Sequence, residues 1–190
     1  MRAFLQGHLP DSEGRLAELG REHHVSPNNP FALLAHTGRD AAGAVQILPP
    51  GEDSPDAARR QGDATELDDE EFGAVVADVI ANRDTWGRRE TNVRWSLPGA
   101  QPKVALFRTS AGKWAVPNDS TPTTHIVKPA VPPFSSHHVN EFMTMSAARH
   151  LGLEVANDFA VTTDRGNHAF ASERVSSVPT ASLPTTLERN

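Results

Sequence analysis

From residue 93 onward, four short apolar runs follow one another at roughly ten-residue spacing: VRWSL, KVALFR, KWAVP and THIVKP. The breaks between them hold turn formers, at Pro98-Gly99, Ser110-Ala111-Gly112 and Asn118-Asp119. Runs this short, each bounded by turn formers, read as strands. DFAVTT and HAFASE extend the pattern as a hairpin around Asp164-Arg165-Gly166. One helix is expected between the two groups of strands. Asn140 can cap it, Phe142, Met145, Ala148 and Leu151 would face inward, and Gly152 would stop it near residue 151.

The first half of the chain has a different rhythm. Residues 12–24 read as a short helix with Leu16 and Leu19 on one face, and Pro30 suits the first turn of a second helix that Gly38 ends. AAGAVQIL over 41–48 reads as a strand closed by Pro49-Pro50. Residues 49–65 hold almost no large apolar side chain and read as a linker or exposed loop. Asp68 with Glu71 three residues on gives a capping-box start, and Phe72, Val75, Val76, Val79 and Ile80 then fall at helical spacing over about 69–82. Residues 82–92 read as a second, charged loop. The Ser/Thr/Pro-rich tail over 176–190 is expected to be disordered. The fold class is α+β.

Composition narrows the chemistry. The 190 residues contain no Cys, which excludes disulfide scaffolds, cysteine–zinc sites, iron–sulfur clusters and thiol nucleophiles. A net charge of −6 supplies no basic excess for general nucleic-acid binding. No apolar run approaches the roughly 18 residues of a membrane span. No secretory signal is visible, so the cytoplasm is the expected compartment. His23-His24 and His137-His138 are adjacent pairs without metal-ligand spacing, so no metal site is expected. The acidic run from Asp68 to Glu71 reads as a helix start favoured by the dipole.

Positive charge is carried by fifteen Arg and only three Lys, namely Lys103, Lys113 and Lys128. Lys is a compact point charge, whereas Arg is a rigid fork. Lys103 ends the small-residue segment Ser96-Leu97-Pro98-Gly99-Ala100-Gln101-Pro102, which could bring backbone N–H groups near a phosphate. Spacing alone favours an ordinary hairpin turn there. Lys128 ends the apolar run Thr124-His125-Ile126-Val127, and Glu141 lies at the first turn of the next expected helix. Strand Lys, loop and helix Glu is the order of a protein-kinase small lobe. A Lys snorkelling from a strand end satisfies the same spacing.

The quoted segments SLPGAQPKVALF and TPTTHIVKP resemble the HipA family of bacterial toxin kinases, the serine/threonine kinases of type II toxin–antitoxin modules. The Trp114 strand, Asn140-Glu141 with LGLEVA, and Ala171-Ser172-Glu173-Arg174 extend the resemblance, as does NPFALLAHTGRDAAGAVQILP upstream. It implies an N-terminal subdomain over 1–62, a helix and linker over 63–92, and a kinase-like small lobe over 93–175, with an antiparallel sheet and one helix. It further implies that Pro98, Gly99, Ala100, Gln101, Pro102 and Lys103 lie over the phosphates of ATP and that Lys128 reaches the nucleotide, with Glu141 as its partner. Glu173, Arg174 and Val175 would border the adenine, and Ser96 matches an autophosphorylated serine. ATP with magnesium is the implied cofactor, and a HipB-like antitoxin or a separately encoded kinase lobe the implied partner.

The chain departs from that family after Arg174, where Val175-Ser176-Ser177 stands in place of an aromatic followed by Asp-Arg. The catalytic Asp, the magnesium-binding Asn and the metal-binding Asp of a kinase large lobe have no counterpart in these residues. The sequence therefore reads as an internal piece of a HipA-like kinase, expected to be inactive alone. The competing expectation is a non-catalytic or antitoxin-like module that binds a separate kinase lobe.

Overall fold

The computed structural model describes residues 1–41, 45, 47–48, 64–83, 86, 95–117 and 123–174. Most of the linker and second loop, the Asn118-Asp119 turn, Val175 and the tail over 176–190 lie outside the described residues. No helix among the described residues is long and apolar enough to cross a membrane.

The N-terminal part begins with three helices, α1 (Arg2–Gln6), α2 (Glu13–Glu22) and α3 (Pro30–Thr37). Each of the last two starts as its sequence dictates. Ser12 accepts a hydrogen bond from the Arg15 N–H, and Asn29 accepts one from Ala32 with Pro30 in the first turn. Their apolar faces meet in a core of Leu9, Leu19, Leu33 and Leu34, all at most 2% exposed. The strand expected over 41–48 is shorter among the described residues: β1 is Asp40–Ala41, and Val45, Ile47 and Leu48 are not strand. Ile47 instead packs against the leucine core.

The second part is a six-stranded antiparallel sheet formed by β2 (Ala64–Leu67), β4 (Val104–Arg108), β5 (Trp114–Pro117), β6 (His125–Pro129), β7 (Asp158–Thr162) and β8 (His168–Glu173). Its strand order is β2-β5-β4-β6-β8-β7. Ala64 and Thr65, expected in the linker, are strand, and they pair with Pro117 and Val116. α4 (Asp69–Ala81) crosses one face of the sheet, started by the expected capping box in which Asp68 and Glu71 bond each other's backbone. Phe72 and Val76 pack there on Leu106, Val127, Ala169 and Ala171. These are alternate positions of β4, β6 and β8, so period-two patterning assigns the intervening residues to the opposite face.

β3 (Trp95–Ser96) corrects the expected hairpin. It does not pair with β4; it runs parallel to β1, with Asp40 opposite Trp95 and Ala41 opposite Ser96. Pro98 and Pro102 carry no N–H to donate to a ladder. Leu97 drops into a separate small core with Trp86 and Ala105. The segment between β3 and β4 is therefore a bridge between two sheets.

α5 (His137–His150) starts four residues earlier than expected, so Asn140 lies inside it and Ser136 is the N-cap residue. It ends as expected. Gly152 takes φ +80°, and the N–H groups of Gly152 and Leu153 bond the carbonyls of Arg149 and Ala148. The expected inward face does not hold throughout. Phe142 is 39% and Leu151 80% exposed, and Phe134, Val139, Met143 and Leu153 are exposed beside them.

Candidate functional site

The face of the sheet opposite α4 carries both lysines of interest. Along β6, His125, Val127 and Pro129 are buried, and Ile126 and Lys128 point the other way. The β4–β6 register pairs Val104 with Val127, and one step further sets Lys103 opposite Lys128. Phe170 of β8 is the next cross-strand partner of Lys128, and its ring centre lies 5.8 Å from the Lys128 ammonium. Glu141 in the second turn of α5 completes the group: its Oε2 accepts from Lys128 Nζ at 2.7 Å. Strand lysine and helix glutamate are thus paired across the gap that the sequence order suggested.

Lys103 is held differently. Its side chain is 5% exposed, its ammonium donates to the Pro98 carbonyl at 2.8 Å, and it lies 4.6 Å from the centre of the Trp86 ring. Burial first, and then the neighbouring Lys128 charge, push its pKa down from the ordinary 10.5 to about 8, against the pull of Asp11 and Glu141. Between those values the unfolded chain binds more protons than the folded one, so this residue makes the fold more stable as pH rises from about 8 towards 10.5. Urea melts of wild type and Lys103→Met should show it. The wild type gains on the variant between about pH 7 and about pH 10, whereas parallel pH profiles would contradict a buried ammonium.

The bridge over 97–103 closes around that ammonium. Gly99 has φ +105°, a backbone conformation that favours glycine, and a Cβ there would meet Lys103 Nζ at 2.7 Å, so any side chain would displace the lysine's end. The Gly99 carbonyl accepts from the Asp11 N–H at 3.2 Å, which ties the bridge to the segment between α1 and α2. Gln101 reaches the start of α5, with Nε2 3.4 Å from His137 Nδ1. Pro98 and Ala100 are exposed.

The end of β8 forms another edge. The Glu173 side chain is exposed and accepts from Asn157 Nδ2 at 2.8 Å. The Arg174 N–H donates to the Thr124 carbonyl at 2.8 Å, while its guanidinium turns away to Asp40 and Thr123. Ser96 closes β3 and pairs with Ala41. Of the residues expected at the site, Lys103, Lys128, Glu141, Pro98 and Gly99 are brought together directly. Lys113, the third lysine and not expected at the site, lies apart: it is exposed at the turn before β5 and, with Phe72, Trp114 and Asp164, lines a separate cavity of about 360 Å³ on the α4 side. Trp86, Phe170 and Asp11 contribute without having been singled out. The one legible signal was a lone aromatic, Trp86, inside a charged loop.

Two family models match the chain: the HipA N-terminal domain over residues 1–48 and the HipA-like C-terminal domain over residues 95–177. A kinase-named protein of Sinorhizobium fredii, Y4mE, is 38% identical over 82% of this chain and 36% of its own length. The serine/threonine-protein kinase toxin HipA of Shewanella oneidensis is 34% identical over 81% of this chain and 33% of its own length. A solved complex of the Shewanella HipA with HipB and operator DNA matches 94% of this chain and 40% of the other, with TM-score 0.67 and 31% identity. The chain spans about a third of the length of the curated relatives it matches. Two domain models in family order and a shared fold agree with the paired Lys128 and Glu141: the chain belongs to the HipA family.

Proposed function

We propose that these residues form the nucleotide-cradling part of a HipA-type serine/threonine-protein kinase that uses ATP, and that they do not transfer phosphate by themselves. The observation that carries this reading is the convergence of Lys103 and the Lys128–Glu141 pair on one sheet face beside the Gly99 bridge. Two adjacent ammonium groups suit a polyphosphate, whose charge would relieve their mutual repulsion. Lys103 and Lys128 would hold the phosphates, with backbone groups of Pro98, Gly99, Ala100, Gln101 and Pro102 above them. Glu173, Arg174 and Val175 would border the adenine. Magnesium would accompany the ATP and neutralise phosphate charge. A HipB-like antitoxin in the cytoplasm is the proposed partner, supported by the Shewanella complex. Direct DNA contact is not proposed for a chain of net charge −6.

Phosphoryl transfer depends on positioning and on metal-borne charge neutralisation, and among the described residues no cluster of three or more His, Asp or Glu side chains is placed to hold a metal ion. Incubated with γ-labelled ATP, the purified chain should label neither Ser96 nor a protein substrate until a complete HipA-type kinase is added. Label on Ser96 from the chain alone would refute the proposal of inactivity.

A second reading is favoured by the exposed apolar side chains on and around α5, among them Phe142, Met143 and Leu151. Patches of this kind mark docking surfaces. In that reading the chain is a non-catalytic module, seated through α5 on a separately encoded kinase lobe or acting as an antitoxin-like partner. It predicts a stable complex with such a lobe that Met143→Glu disrupts, and absence of any complex would dismiss it.

A further inference from the structure

We propose that Asp40 is a positioning residue for the nucleotide cleft, fixing the Arg174 edge relative to the strand that leads into the Gly99 bridge. The inference rests on the nucleotide reading above. Asp40 accepts from Arg174 Nη1 with both carboxylate oxygens, each at 2.6 Å, and from the Thr123 N–H at 3.1 Å and hydroxyl at 2.6 Å. Arg174 Nη2 donates to the Ala41 carbonyl at 2.9 Å, and its Nη1 also donates to Thr123 Oγ1. Both charged side chains are only 11% exposed.

The three segments that meet here belong to different parts of the cleft. Arg174 directly follows β8 and Glu173, and its backbone N–H is already bonded to Thr124 ahead of β6. Asp40 and Ala41 are β1, whose parallel partner is Trp95 and Ser96 of β3. β3 runs straight into the bridge over 97–103. One carboxylate therefore joins the proposed adenine edge to the root of the proposed phosphate loop, across 134 residues of sequence. Asp11, bonded through its N–H to the Gly99 carbonyl, is a second tie from the same N-terminal subdomain. A charge-assisted bond network this sheltered holds its geometry firmly. Loosening it moves the adenine edge without touching either lysine.

The test compares adenosine and ATP binding to the whole chain by equilibrium dialysis. Asp40→Asn, which removes the charge and keeps the size, should weaken both ligands by a similar factor of about tenfold. Lys128→Met, in contrast, should weaken ATP and spare adenosine. Thr123→Val removes the hydroxyl's bonds with Asp40 and Arg174 and leaves the ion pair, so it should give a smaller loss with the same equal pattern; it replaces Asp40→Asn if that variant does not fold. The double variant Asp40→Asn/Arg174→Gln should be no weaker than Asp40→Asn, since the two residues act as one unit. Unchanged adenosine binding in a folded Asp40→Asn or Thr123→Val chain overturns this inference alone. A wild-type chain that binds neither ligand overturns the nucleotide reading and this inference with it.

Discussion

Replacing Lys128 by Met is expected to weaken ATP binding by roughly 30- to 150-fold, the equivalent of about 2–3 kcal/mol for losing bonds from a charged donor. The ammonium faces the open side of the sheet opposite Lys103, and Glu141 fixes where it points. Met keeps most of the length and apolar bulk of the stem beside Phe170, so the loss falls on the charge. Glu141→Gln should cost less, because the amide oxygen still accepts from Lys128 while the charge on Lys128 remains. Calorimetric titration with ATP and with adenosine checks both variants. Equal loss of adenosine would show that Lys128 maintains the fold of the cleft instead of meeting phosphate.

Phe72→Ala is expected to remove about 3–5 kcal/mol of stability, a large share of the roughly 5–15 kcal/mol that holds a domain together. Phe72 is 5% exposed and is the side chain through which α4 enters the sheet core. Its ring stacks on Trp114 with centroids 5.1 Å apart and planes 11° from parallel. Alanine leaves a cavity between helix and sheet that the capped α4 backbone cannot close by sliding. Urea unfolding of wild type and variant measures the difference. A loss below about 1 kcal/mol would mean that α4 does not form the back wall of this sheet.

The strands were legible because each is a local pattern. Alternation within KVALFR and THIVKP already separates Leu106 and Val127 from Ala105, Ile126 and Lys128, and that division places the two lysines on one face. The capping box at Asp68 and Glu71 likewise needs only four consecutive residues. What escaped was set by distant partners. α1 is five residues long with no side-chain cap, and its contacts with α3 hold it. β2 sits in a stretch poor in large apolar residues and exists because β5 offers an edge. β3 looked like half of a hairpin, yet it finds β1, more than fifty positions back, and no local periodicity encodes that choice. Asp40 carried no signal at all, since one acidic residue beside Arg39 looks like any exposed loop until Arg174 and Thr123 arrive around it. The early start of α5 moved Glu141 from the first turn to the second without separating it from Lys128.

If the sheet face bearing Lys103 and Lys128 is a nucleotide cradle, amide chemical shifts will report it residue by residue. With ATP and magnesium titrated into the isotopically labelled chain, shifts should concentrate at Gly99, Ala100, Gln101 and Lys103, at 126–128 and at 170–174, with the start of α5 responding through Gln101 and His137. Shifts confined to the α4 side around Lys113, Thr163 and Asp164, where the separate cavity lies, would contradict it, as would a spectrum that ATP leaves unchanged.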